Sequence, residues 1–236
     1  MATQYSNGRL VTNGLVLSLN AADPNSYVSG STTWNDMSGG GNNGTLTNTP
    51  TYSSTNGGTF TFNGTNQYVV LGTPTAINNL TTPTVSVWVK FTSVDATAAP
   101  ITIYDKGYDG SAEGFFLRLQ STNPGTLFVG TYTNGGGNVG ATSSTVFTTG
   151  TWYNIVGQYT GTAWNIYLNS ILNTTFTSAT GPQSSTAPIS VGAMWNAGAY
   201  ARFLSGSIPT IHVYNRALSS TEILQNYNVQ KSRFGL

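Results

Sequence analysis

The chain has 236 residues, 28 of them glycine and none cysteine, with eight Lys or Arg, seven Asp or Glu and one His. A formal charge of +1 and 6% charged residues leave no basic footprint for nucleic acid, and the apolar runs are too short for a membrane-spanning helix. Without cysteine there is no disulfide scaffold or thiolate metal site. The 12% aromatic content separates the chain from low-charge disordered sequences.

Taken in chain order, the pattern is short strands with period-2 alternation. Residues 1–13 are polar apart from Leu10 and Val11 and are expected to form an N-terminal arm. No basic start leads into an apolar run there, so no signal peptide is expected. The first strand runs over Gly14–Asn20. Further strands are expected over Thr59–Phe62, Gln67–Leu71, Thr84–Thr92, Ile101–Tyr104, Phe115–Leu119, Thr126–Tyr132, Thr151–Tyr159, Trp164–Leu168, Ile171–Phe176, Ile189–Met194 and Phe203–Tyr214. In the clearest of these, Val85, Val87, Val89 and Phe91 take one face, while Ser86, Trp88 and Lys90 take the other. Such alternation gives one packed wall and one more polar wall. Turns such as Asn63–Gly64, Asn134–Gly137 and Thr160–Thr162 separate the strands.

One helix is expected, over about residues 220–228. Ser219 and Glu222 form a capping box, and Ile223, Leu224 and Tyr227 follow on one side. Residues 231–236 then read as a basic C-terminal tail. Many short strands and one helix argue for an all-β, two-sheet antiparallel jelly-roll sandwich over residues 14–230.

Several motifs resemble the laminin-G-like, concanavalin A-like family. They are Gly14–Leu17, Trp34–Gly39 running into Gly41–Leu46, Phe60–Gly64 with Tyr68–Val69, Val85–Val89, Trp152–Val156, Trp164–Asn169, Gly206–Ile208, and Val213–Ser219 with Glu222–Ile223. The closing block, Tyr214–Ser219 with Gln225–Tyr227 and Arg233–Leu236, is similar to the form found in virion structural proteins of tailed bacteriophages, often marine ones. The resemblance implies a jelly roll that binds glycans or proteins, frequently with calcium. It implies a virion surface protein made in the host cytoplasm: a capsid decoration, head fibre or tail-associated module. Its implied partners are other virion proteins and cell-surface or environmental polysaccharide, with a homo-oligomer compatible. A calcium-supported stand-alone lectin and a ligand-free capsid cement protein are the alternatives.

Catalysis is not expected. Glycoside hydrolysis needs two placed carboxylates, and the Glu-x-Asp-x-x-Glu pattern of the fold's glucanases is absent. His212 is the one imidazole, set among polar-face positions of a strand. Asp105, Asp109 and Glu113 form the one acidic loop that could supply oxygen ligands to calcium. Several positions where relatives carry Asp are neutral here, Asn20 and Asn63 among them, which weakens that inference. Glycans are held by aromatic faces together with amides and hydroxyls. Trp195, Asn196 and Tyr200 in one loop, with Tyr132, Asn134 and Tyr108, are the residues of those types. Trp88, Trp152 and Trp164 are expected in the core.

Overall fold

A computed structural model describes residues 9–236. In chain order the strands are β1 Leu15–Asn20, β2 Thr33–Trp34, β3 Gly44–Thr47, β4 Thr51–Ser53, β5 Thr59–Asn63, β6 Tyr68–Gly72, β7 Thr84–Phe91, β8 Ile101–Lys106 and β9 Glu113–Leu119. They continue as β10 Thr126–Thr133, β11 Gly137–Val146, β12 Trp152–Tyr159, β13 Ala163–Leu168, β14 Ile171–Thr177, β15 Ile189–Val191, β16 Met194–Asn196, β17 Ala199–Ala201 and β18 Ser205–Tyr214. The helix α1, Ser220–Gln230, and a 3-10 turn, Lys231–Phe234, close the chain.

Two antiparallel sheets face each other. The first runs β14-β13-β12-β7-β18-β5-β4, with β1 also paired to β18. The second runs β11-β10-β9-β8-β15-β6-β3-β2. Between them Leu17, Leu19, Val85, Val87 and Val89 meet Leu117, Leu119, Leu127, Val129 and Val191. Each such side chain stabilises the fold by about 1.5–3 kcal/mol on burial. The jelly-roll sandwich expected from the alternation is the architecture observed. Strand β18 changes neighbour along its length: Ser205–Ile208 pair with β5 and Thr210–Tyr214 pair with β1. Pro209 sits at the change, in a register irregularity against β7. A residue without an N–H fits where the ladder is already broken.

The second wall of β7 differs from expectation. Trp88 is buried, yet on the outer face of the first sheet rather than between the sheets. Its ring stacks on Phe234 at 4.1 Å and lies near-parallel to Tyr227 at 5.7 Å. The C-terminal segment, including the basic tail of residues 231–236, therefore forms a lid over this face. Arg233 donates to the carbonyls of Asn56 and Gly58 and to Asn20 Oδ1. Trp152 is half-buried at the same lid, 4.9 Å from Phe234; Trp164 alone of the three lies in the central core. A smaller apolar cluster of Val11, Val156, Tyr167, Tyr214, Leu218 and Ile223 lies under α1.

The capping box forms as expected, with Ser219 accepting from the Glu222 N–H and Glu222 accepting from the Ser219 N–H. Arg216 adds a two-pronged ion pair to Glu222. The helix runs two residues beyond the expected 228. Of the expected N-terminal arm, residues 1–8 lie outside the described residues. Its last part is held down: the Val11 N–H donates to Asn226, and Tyr214 donates to the Val11 carbonyl.

Beside this lid His212 is fully buried. Its Nδ1 lies 3.2 Å from Ser18 Oγ and its Nε2 2.8 Å from Gln230 Nε2. Gln230 accepts from Thr210 through its Oε1, so its amide nitrogen points at His212 as a donor. The ring is therefore neutral, with the proton on Nδ1.

Candidate functional site

The outer face of the second sheet carries a concavity of ≈ 400 Å³. Alternation in β9 builds its floor. Phe115, Leu117 and Leu119 point into the core, so Phe116 and Arg118 point outward. Phe128 on β10 faces the same way and stacks beside Phe116 at 5.7 Å. One wall is Tyr132 with Tyr108, edge-to-face at 5.7 Å. The adjoining wall comes from the β16–β17 hairpin, which bridges to Tyr108 through Asn196. Gly192, with φ +79°, breaks what alternation alone reads as a single strand over 189–194. The chain then turns back through Ala197 and Gly198, both at positive φ, and returns as β17.

The hairpin is tied down at both ends. The Tyr108 N–H donates to the Trp195 carbonyl, and the Ala197 N–H donates to the Tyr108 carbonyl. Tyr200 packs on Tyr68 of β6 at 4.2 Å and on Trp195 at 5.0 Å. Met194, Asn196 and Arg202 are thereby carried to the rim of the concavity.

Charge collects at its base. Arg118 Nη1 donates to both oxygens of Glu113, at 2.8 and 3.1 Å, and Nη2 to Asn138 Oδ1 at 3.3 Å. The guanidinium lies 3.5 Å over the Phe116 ring, a favourable cation–π placement. Asp105, on β8, is fully buried beside this pair, and neither of its oxygens has a donor within reach. Burial pushes its carboxyl well above the ordinary range; the neighbouring Glu113 pushes it further, while Arg118 and Arg202 pull it back. Two adjoining carboxylates cannot both stay ionised at low cost. A proton on Asp105, donated to Glu113, leaves the pair with one negative charge. Arg202 completes the cluster, its guanidinium made less basic by burial and by Arg118.

The structure gathers part of the expected site. Tyr108, Tyr132 and Asn196 line the concavity. Trp195 and Tyr200 do not: they pack on each other, and Tyr200 packs on Tyr68, holding the hairpin in place. Asn134 is exposed at the β10–β11 turn, outside the lining. Asp105, Asp109 and Glu113 do not converge as a calcium set, and no group of three metal-ligating side chains does so among the described residues. Asp109 instead accepts from the backbone of Thr186, Ala112 and Ser111; these bonds hold it well below the usual carboxylate range, those from Thr186 and Ala112 most. Phe128, Arg118, Asn138, Gln120 and Arg202 are lining residues that sequence reasoning did not assign. The available signal was Arg118 itself, an arginine among the otherwise apolar positions 115–119 of the strand.

Comparison with known proteins agrees with this architecture. The family model described as the concanavalin A-like lectin/glucanases superfamily matches residues 63–224. No curated protein sequence matches. Among solved structures, the binding domain of Paraclostridial Mosquitocidal Protein 1 superposes with TM-score 0.69 at 16% identity, covering 92% of this chain and 52% of that one. The Botulinum Neurotoxin Type G receptor binding domain gives 0.66 at 15%, with 92% and 52% covered. Domain 4 of AbnA, a GH43 extracellular arabinanase from Geobacillus stearothermophilus solved with arabinotriose, gives 0.67 at 17%, with 92% and 98% covered. The chain thus spans about half the length of the toxin binding domains it resembles.

Proposed function

The chain belongs to the concanavalin A-like lectin/glucanases superfamily, and we propose that it is a carbohydrate-binding module that takes its ligand in the concavity over β9 and β10. One observation carries this reading: an aromatic floor and wall, Phe128 and Tyr132, face a ring of amides and guanidinium groups in a space of ≈ 400 Å³. Sugars present C–H faces that suit the aromatic rings and hydroxyls that suit the amides. A structural relative solved with arabinotriose, another that is a binding domain and a third that is a receptor binding domain support a binding role.

The site is read as binding rather than hydrolytic. A glycosidase sets its two carboxylates roughly 5–9.5 Å apart across the scissile bond. Here Asp105 adjoins Glu113 beneath the surface, and Glu113 is occupied by Arg118. Neither is placed to protonate a leaving group opposite the other.

The setting we propose is the surface of a tailed-phage virion, as a capsid decoration, head fibre or tail-associated module. The closing block Tyr214–Leu236 motivates this through its similarity to such proteins. Weak single contacts would then gain from display in many copies, by about 10²-fold or more. Docking cannot use Arg216 and Arg233 as free charges, because both are committed within the fold.

A glycan array read with and without EDTA tests the binding reading, alongside Tyr132→Ala and Trp195→Ala. We expect binding that survives EDTA and falls with Tyr132→Ala. A larger loss with Trp195→Ala would move the site to the hairpin. Binding that requires calcium would restore the calcium-supported lectin. No glycan binding, combined with co-sedimentation on purified particles, would favour the cement protein.

A further inference from the structure

We propose that the concavity selects sugars carrying a carboxylate, with Arg202 as the residue that receives it. This rests on the binding reading above and names the ligand class for that site. The argument begins with how charges are committed. Arg118 is the deeper guanidinium, and its Nη1 and Nη2 are engaged by Glu113 and Asn138. Glu113 is correspondingly spent on Arg118. Asp105 is sealed beneath the surface and adjoins Glu113, so that pair holds one negative charge between its two carboxyls. Asp109, the remaining acid of the neighbouring loop, turns away to accept from Thr186.

Arg202 is left over. Its guanidinium is half-buried at the wall of the concavity, and among the described residues it has no hydrogen-bond or ion-pair partner. Its backbone is fixed, since the Arg202 carbonyl accepts from the Thr102 N–H at 3.0 Å and β17 pins the residue before it. Two guanidinium groups therefore face one shared negative charge, and the excess positive charge opens onto the concavity. Burying a guanidinium without a counter-charge is costly, and a ligand carboxylate would supply the missing acceptor through the planar fork of arginine. The remaining lining fits the rest of such a sugar: Phe128 offers a stacking face and Asn196 offers an amide.

The test uses the whole protein and oligosaccharides matched in backbone: oligogalacturonate against its methyl ester, sialyllactose against lactose, and a sulfated against an unsulfated galactan. Titration calorimetry reads each pair at two salt concentrations. We expect at least one carboxylated member to bind about tenfold tighter than its neutral partner, the scale of a charge-assisted hydrogen bond. Higher salt should reduce that ratio. Arg202→Gln should bring it to about one, and Arg202→Lys should retain part of it, with unchanged melting temperatures showing both variants folded. Equal affinity within the carboxylate pairs, with Tyr132→Ala still abolishing binding, would overturn the carboxylate selection and leave the binding site standing. Preference confined to the sulfated member would replace carboxylate by sulfate. Binding by no member would overturn both readings.

Discussion

His212→Asn should flatten the acid limb of the stability profile. The wild-type ring is sealed under α1, with Gln230 donating to Nε2 and Ser18 at Nδ1. Adding a proton to Nε2 sets donor against donor, buries a charge, and places it near Arg233. Burial first, and Arg233 second, hold the imidazole down to about 4, against 6.5 for an ordinary histidine. Between those values the unfolded chain binds the extra proton and the folded chain does not. Stability from this group is therefore complete above about pH 6.5, declines as pH falls, and is gone below about pH 4. At about 1.4 kcal/mol for each pH step, the loss amounts to roughly 3 kcal/mol. Urea unfolding followed by tryptophan fluorescence at pH 7 and pH 4 would measure it. The wild type should lose roughly 3 kcal/mol more than His212→Asn across that interval. Whatever the substitution costs at neutral pH drops out of the comparison, as do carboxylates common to both proteins. Equal losses in the two proteins would refute the sealed neutral histidine.

Three further outcomes are expected. Asp105→Asn should raise the melting temperature at pH 7: the folded Asp105 keeps its proton above 3.8 while the unfolded one releases it, so the wild type loses stability as pH rises through that window, and an amide N–H toward Glu113 removes the loss. A lower melting temperature for the variant at pH 7 would count against the shared proton. Phe234→Ala should cost about 3 kcal/mol, near the low end for a buried phenylalanine, and shift tryptophan emission to the red as Trp88 gains water; an unmoved spectrum would mean that the lid does not cover Trp88. Glu222→Ala should cost about 0.5–2 kcal/mol through the cap and the freed Arg216, read as a lower melting temperature.

The fold was legible where alternation was strong and each wall had one environment. Val85, Val87 and Val89 against Leu117, Leu119 and Val129 announce two facing sheets, and Ser219 with Glu222 announces the helix. The alternation says nothing about what covers an outward face, so Trp88 could be read as buried but not as buried beneath Phe234. Strand β11, Gly137–Val146, left no pattern because small and polar residues outnumber its apolar ones, and its pairing is set by β10. The break at Gly192 was hidden because a positive φ leaves no mark in a run of apolar residues.

The site was less legible, for a reason of distance. Asp105, Glu113, Arg118, Asn138 and Arg202 come from three strands and a hairpin end, and the pairing of β8, β9, β10 and β11 brings them together. Scarcity of charge was the usable clue. In a chain with seven acids and eight bases, an ionic cluster on one sheet face is a large share of the total. With formal charge near zero the protein has little long-range field, and physiological salt screens what there is within about 8 Å. Any preference for an anionic ligand must therefore be made inside the concavity, at contact range. There Arg118 is already committed, and Arg202 is the group whose charge lacks an acceptor.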